Sequence, residues 1–301
     1  MDARTLIGLV RPFTMLAPLV GVVAGAATAS HATGAPFRVE LVALAALAAV
    51  LANGASNAWN QAFDADIDRV NKPTRPIPAG AATVAGARRL GHLLALLGVL
   101  VAGAHATLVH RAAFLACVVG GVFATWVYSA PPLRTKRLLW LANPTIAVPR
   151  GFLVPVAGWA VLAPLTSSEP FALGLVPGLF VLGAATTKDF ADVAGDRAHG
   201  CRTLPVVLGL APAARIVAPF LVLPFLLYPL LALLGAVQRP FAAWAVASGA
   251  LAAGGAWTAR ALLRDPSSLA TERNHPAWRG MYLLMLANYG VVLAVYAFAR
   301  G

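Results

Sequence analysis

Charge is scarce in this sequence. Only 11% of its 301 residues are Asp, Glu, Lys or Arg, against roughly 25% in soluble proteins. Hydrophobic residues make up 59%, and mean hydropathy is +0.77. That balance argues against a soluble globular fold. Cysteine is scarcer still. Cys117 and Cys201 stand far apart, which excludes a disulfide framework and any cysteine-based metal spacing. The alternation of a membrane β-barrel is absent, as are low-complexity tails and any stretch polar enough for a separate soluble domain. What remains is a series of apolar stretches of about 20 residues, enough to cross a ~30 Å bilayer core as helices. Helices also satisfy their own backbone groups in lipid.

The sequence predicts an all-α integral membrane protein, a bundle of nine transmembrane helices around a central cavity, with residues 1–301 as one domain. The spans fall near 13–33, 39–63, 83–107, 112–130, 138–161, 170–190, 204–235, 241–261 and 279–299. Arg4 and Arg11 precede the first apolar run without a small-residue cleavage site, so it reads as a membrane helix rather than a signal peptide. The seventh stretch carries Pro212, Pro219, Pro224 and Pro229, which predict a kink or a short preceding helix.

The net charge of +12 does not point to nucleic acid, because the basic residues sit in short loops between apolar spans. With the N-terminus inside, the inner loops hold Arg69, Lys72, Arg75, Arg88, Arg89, Arg134, Lys136, Arg137, Lys188, Arg197, Arg202, Arg215, Arg260, Arg264, Arg273 and Arg279. The outer side has only Arg38, Arg111, Arg239 and Arg300. This is the positive-inside pattern, and it fits an odd number of spans. A bacterial inner membrane with the site toward the cytoplasm is the expected location.

Six of the 11 acidic residues fall in two places: Asp64, Asp66 and Asp68, then Asp189, Asp192 and Asp196. Asn60, Asp64 and Asp68 recur every four residues and would share one helix face. Asp192 and Asp196 repeat the spacing, and Asp189 lies a turn earlier. Asp66 points away from its neighbours. Lys188 precedes Asp192 by four and is placed to pair with it. A basic loop and a proline follow each cluster, Arg75-Pro-Ile-Pro78 and Arg202-Thr-Leu-Pro205. This weak internal repeat suggests two helical halves whose acidic ends face one cavity. Carboxylates at membrane helix ends are expensive and commonly functional. Close carboxylates repel unless a cation bridges them. Oxygen-only ligands suit Mg²⁺, which binds substrate phosphates, so the paired clusters are placed to hold a diphosphate through the metal. Arg11, Lys72, Arg75, Arg134, Lys136, Lys188 and Arg202 lie near the same level as candidate anion partners. A solvated helix cap would explain either cluster alone, but not the same spacing twice.

The stretch Asn60-Gln-Ala-Phe-Asp64-Ala-Asp-Ile-Asp68-Arg-Val-Asn-Lys-Pro-Thr-Arg75-Pro-Ile-Pro-Ala-Gly80 resembles the first signature of the UbiA superfamily of prenyltransferases. Lys188-Asp-Phe-Ala-Asp192-Val-Ala-Gly-Asp196 resembles the second, and Tyr128-Ser-Ala-Pro-Pro-Leu-Arg134-Thr-Lys136-Arg137 the loop after the fourth helix. The resemblance spans nearly the whole chain. It implies that Asn60, Asp64 and Asp68 serve one Mg²⁺ and that Asp192 and Asp196 serve another. It puts Asp189 close to the diphosphate. Tyr128, Arg134, Lys136, Lys188 and Arg11 would contact phosphate or its surroundings. The prenyl tail would run into the apolar bundle. The second motif is more similar to the chlorophyll synthase, homogentisate and geranylgeranylglyceryl phosphate branches than to the 4-hydroxybenzoate branch.

The expected reaction follows. An isoprenyl diphosphate ionises, and a lipophilic aromatic or glycerol-phosphate acceptor captures the allylic cation. Two other readings stay open: a terpene cyclase using the same metal site, and an ion-coupled transporter using its carboxylates. Phe13, Trp59, Phe63, Phe123, Trp126, Tyr282 and Tyr289 are candidate cation shields. Arg150 lies inside the fifth span with no acid nearby in sequence. It needs a partner from another helix or from substrate, so acceptor recognition and a structural role both fit. Asn53 and Asn143 read as helix–helix hydrogen bonds. His199 and His275 have no ligand spacing and no assigned role.

Overall fold

The computed structural model describes residues 1–269 and 276–298. Among these residues the chain is helical and contains no strand. Arg273, Arg300 and His275 lie outside the described residues.

The chain opens on a helix that the hydropathy pattern does not announce. α1 (Ala3–Val10) is capped by Asp2, whose carboxylate accepts the Thr5 N–H at 2.8 Å. It stops at Arg11, in the left-handed region at φ 53°, and a 3₁₀ turn (Pro12–Met15) leads into α2 (Leu16–Thr33). Then follow α3 (Val39–Phe63), α4 (Ala65–Asn71), α5 (Val84–Val109) and α6 (Ala113–Ser129). α7 (Leu139–Ala147) and α8 (Leu153–Leu162) are joined through a π turn at Val148–Phe152. α9 (Glu169–Ala184) ends in a 3₁₀ segment (Ala185–Ala191) before α10 (Val193–Ala198). The remainder is α11 (Leu204–Leu208), α12 (Leu210–Val217), α13 (Leu227–Leu233), α14 (Phe241–Arg264) and α15 (Pro276–Phe298).

Seven helical stretches among the described residues are long and apolar enough to cross a membrane. The chain is therefore read as a multi-pass integral membrane protein. They correspond to seven of the nine expected spans. The other two are the 17-residue α6 and the 24-residue α14, which fall outside that set. The seventh stretch is broken as its prolines predict. Gly209, at φ 86°, separates α11 from α12, and 3₁₀ turns at Pro219 and Pro224 precede α13. The fifth span is not one straight helix either, because Pro149 lacks a backbone donor and the π turn absorbs the break.

Small residues let the helices approach closely. A Cβ on Gly25 would lie 2.5 Å from the Pro155 carbonyl oxygen, and one on Gly158 would lie 2.4 Å from that of Val22. Those contacts bring the backbones of α2 and α8 together, as small residues do between membrane helices. At one end of the bundle Arg111 donates to the Leu162 carbonyl at 3.1 Å, and Arg239 donates to that of His31 at 3.3 Å. Buried Glu169 there accepts from the Gln238 N–H at 2.8 Å and from the Tyr296 hydroxyl. The acidic motifs lie at the other end, where α3 and α9 finish.

Candidate functional site

α3 carries a polar stripe that fixes what precedes it. The Gln61 amide donates to the carbonyls of Gly8 (3.1 Å) and Leu9 (2.9 Å). Asn57 donates to the Val10 carbonyl (2.7 Å) and the Thr14 hydroxyl (2.8 Å), and Asn53 donates to Thr14 (3.0 Å). These bonds hold α1 and the left-handed turn at Arg11 against the bundle, which seats Arg11 on the wall of a central cavity. The helix–helix bonds expected of Asn53 and Asn143 are present, Asn143 donating to Thr186 at 2.7 Å.

Each acidic motif straddles a helix break rather than lying along a continuous helix. Asp64 has φ −103° and Asp192 has φ −108°. The i→i+4 backbone bonds nevertheless continue: Asp64 N–H to Asn60 (2.9 Å), Asp68 to Asp64 (2.7 Å) and Asp196 to Asp192 (2.9 Å). The expected shared face therefore survives the break. The two short helices beyond the breaks, α4 and α10, pack on each other. Asn71 joins them. Its amide donates to the Asp192 carbonyl at 2.8 Å and accepts the Gly195 N–H at 2.8 Å. A Cβ on Gly195 would fall 2.6 Å from the Asn71 side chain and displace it from these bonds.

Asp64, Asp68, Asp189 and Asp196 are buried, and all four line the cavity with Asp192 and Asn60. Cations hold most of them. Lys136 lies 2.6 Å and Arg134 3.0 Å from Asp64, and Arg75 donates twice to Asp68 at 2.8 Å. Lys72 of the first motif pairs with Asp192 of the second. Lys188 donates to the Tyr128 hydroxyl at 2.6 Å and lies 3.5 Å from Asp189. The predicted Lys188–Asp192 pair is therefore replaced. Residues 185–191 form a tighter 3₁₀ turn, which rotates Lys188 away from the position an α-helix would give it. Asp66 is exposed and pairs with Arg69, as its outward position implied.

Two further expectations shift. Arg202 is exposed and does not line the cavity; its backbone N–H bonds the Arg137 carbonyl at 3.3 Å. Arg134 stands behind the wall, where it also donates to the Phe63 carbonyl at 2.7 Å and so positions Asp64. Arg150 sits in the π turn on the cavity wall, and its one side-chain partner among the described residues is the Ser56 hydroxyl at 3.3 Å. Of the candidate aromatics, Tyr282 lines the cavity, with Phe13 against it at 5.3 Å. Trp59, Phe63 and Trp126 pack on one another, Tyr289 is buried in the core, and Phe123 is exposed. His199 bonds locally to the Gly195 carbonyl at 2.8 Å. Sequence reasoning missed Trp278, Met281 and Met285, which line the cavity from α15. It also missed Asn71, which the Asp68-Arg-Val-Asn71 spacing, one turn of α4, could have revealed.

Charge in the cavity is not fully balanced. Asp196 has no side-chain hydrogen bond or ion pair among the described residues, although it is only 5% exposed. Burial, with Asp189 and Asp192 adding repulsion, raises its carboxyl to about 7. Burial also raises Asp68, against the opposing effect of Arg75. Arg11 makes no ion pair among the described residues, and burial beside Arg75 and Arg150 lowers it to about 10. Among the described residues no three Asp, Glu, His or Cys side chains form a closed metal cage. The donor set is instead open, with oxygen ligands on two facing motifs. That suits a hard cation that takes one or two carboxylates and completes its shell with phosphate and water. Asp196 offers that set a buried carboxylate with no ion pair among the described residues.

The sequence profile of the UbiA prenyltransferase family matches residues 19–278. The chain belongs to that family. The enzyme is 32% identical over 269 residues to the bacteriochlorophyll synthase 33 kDa chain of Cereibacter sphaeroides, covering 88% of this chain and 85% of that one. It is 35% identical over 207 residues to the digeranylgeranylglyceryl phosphate synthase of Natronomonas pharaonis, covering 61% and 63%. Its fold is similar to that of a UbiA homolog from Archaeoglobus fulgidus bound to DMAPP and Mg²⁺, with TM-score 0.73, 18% identity and coverage of 98% and 99%.

Proposed function

We propose that this enzyme transfers an isoprenyl group from its diphosphate to a lipophilic acceptor, with Mg²⁺ as cofactor. The observation that carries this reading is the facing pair of carboxylate motifs. They are cross-linked by Lys72–Asp192 and by Asn71, and they open onto a cavity that also holds Arg11, Lys136 and Lys188. Asn60, Asp64 and Asp68 would hold one Mg²⁺ and Asp192 and Asp196 the other. When bound, the metal neutralises charge that develops on a departing diphosphate.

The protein's own groups do the rest. Lys72, Arg75 and Lys136 exchange carboxylate partners for phosphate oxygens. Tyr128 orients Lys188, and Asp189 holds it at the phosphate. Arg11 faces the diphosphate, and Arg150, which has no acid partner among the described residues, faces the polar group of the acceptor. Tyr282 and Trp278 shield the allylic cation from water and offer it their ring faces. The prenyl tail occupies an apolar pocket that shares Thr14, Ser56, Thr125, Arg150 and Tyr282 with the polar cavity.

We further read residues 1–301 as one domain with nine crossings, α6 and α14 completing the alternation of ends. The basic loops on the site side support a cytoplasmic site in a bacterial inner membrane. The test is diphosphate release by purified, detergent-solubilised enzyme. Geranyl, farnesyl and geranylgeranyl diphosphate are offered with Mg²⁺ or EDTA, with and without aromatic and glycerol-phosphate acceptors. Metal-dependent release that rises with one acceptor is expected. Release with no acceptor, giving a cyclic hydrocarbon, would overturn transfer in favour of cyclisation.

A further inference from the structure

One face of α6 presents Phe114, Cys117, Val118, Gly121 and Thr125 to the apolar pocket. Thr125 is at its junction with the polar cavity, and Phe114 is eleven residues away toward the far end of the bundle. At 1.5 Å per residue that is about 16 Å. Between them small residues lie among the branched ones of the wall: Gly121 on α6, Ala49 and Ala52 on α3, Ala17 on α2 and Ala157 on α8, beside Val118, Leu153 and Val154. A Cβ on Gly121 would meet nothing nearer than Pro149 at 3.9 Å, so the pocket is open at that level. Phe114 is the aromatic residue at the end away from Tyr282, and it is 1% exposed. Its ring lies edge-on to that of His105 at 4.9 Å. His105 is fully buried, and its Nε2 lies 3.2 Å from the Val161 carbonyl near the end of α8. The phenyl ring is therefore backed by a side chain that is itself tied to another helix.

We propose that Phe114, braced by His105, is the stop that limits the length of prenyl chain this enzyme accepts. The inference rests on the prenyl-transfer reading above. A tail anchored by its diphosphate at the acidic motifs threads past Thr125 and Gly121 and ends against the Phe114 ring. A longer tail must displace that ring from a packed site, which protein interiors resist.

The test is equilibrium binding of geranyl, farnesyl, geranylgeranyl and hexaprenyl diphosphate to the full chain in detergent with Mg²⁺, read as ratios of Kd between lengths. Wild-type affinity should fall sharply beyond one limiting length. Phe114→Ala should move that limit to a longer chain, with a gain of about tenfold or more in the ratio for the first rejected length. Gly121→Leu fills the pocket partway and should move the limit to a shorter chain by a similar factor. The two variants act in opposite directions, so loss of fold in one leaves the other decisive. A wild-type profile flat with length, or a limit unmoved in the folded variants, would overturn the stop and place the tail's exit elsewhere. No Mg²⁺-dependent binding of any diphosphate by wild type would overturn the prenyl-transfer reading itself, and the stop with it.

Discussion

The site is built from charges that neutralise each other until a ligand separates them. Asp64 is held by Arg134 and Lys136, Asp68 by Arg75 and Asp192 by Lys72. Removing one carboxylate leaves its cations in place but removes a proposed metal ligand. Asp64→Ala and Asp192→Ala should each lose diphosphate release by at least about 100-fold while keeping the wild-type helical content by circular dichroism. Full activity in either would sink the two-motif assignment. Asn71→Ala removes two hydrogen bonds between α4 and α10, each worth about 1 kcal/mol. Because it touches no substrate in the proposed arrangement, its cost should appear mainly as a raised Mg²⁺ requirement, read by titrating the metal at fixed diphosphate. The pH dependence has a definite sign. The Asp196 carboxyl, raised to about 7 by burial, is more often protonated at pH 6 than at pH 8. A metal must displace that proton, so apparent Mg²⁺ affinity should rise between pH 6 and pH 8. An affinity flat across that range would remove Asp196 from the ligand set.

At the scale of helices, the working parts coincide with irregularities. The acidic motifs sit where α3 gives way to α4 and α9 to α10, and Arg150 sits in a π turn between α7 and α8. Regular helices elsewhere hold these breaks in place through close packing. The α2–α8 contact is the clearest case, with Gly25 and Gly158 each facing backbone atoms of the other helix. Gly158→Leu must push these helices apart and should destabilise the protein by roughly 1–3 kcal/mol. A lowered thermal midpoint in detergent checks this, and an unchanged midpoint would contradict the packing described.

At the scale of the whole molecule, the bundle separates a polar end from an apolar interior. In the proposed arrangement the diphosphate with its metal would link the α3–α4 and α9–α10 corners, so its binding should stabilise the folded state as a unit. With a non-hydrolysable diphosphate analogue at about 100 times its Kd, the gain is ~2.7 kcal/mol. The thermal midpoint should rise with analogue plus Mg²⁺ and not with analogue plus EDTA. Equal shifts in both conditions would mean that the cations alone bind the diphosphate.

Much of this was legible in the sequence, because hydropathy and charge act locally along a chain. Long apolar runs can only be membrane helices, loops that carry Lys and Arg mark one side, and carboxylates too costly to bury without purpose mark the site. The gathering of Asn60, Asp64, Asp68, Asp192 and Asp196 at one cavity followed from their spacing, and the prolines announced the broken seventh stretch. Partnership was not legible, because it depends on which helices meet. Lys72 rather than Lys188 holds Asp192, Asn71 ties the two motifs, and Arg202 stays outside. α15 brings Trp278 and Tyr282 to the cavity. A 3₁₀ turn, a π turn and glycine-mediated crossings set those directions, and their geometry follows from tertiary packing rather than from any local pattern of residues.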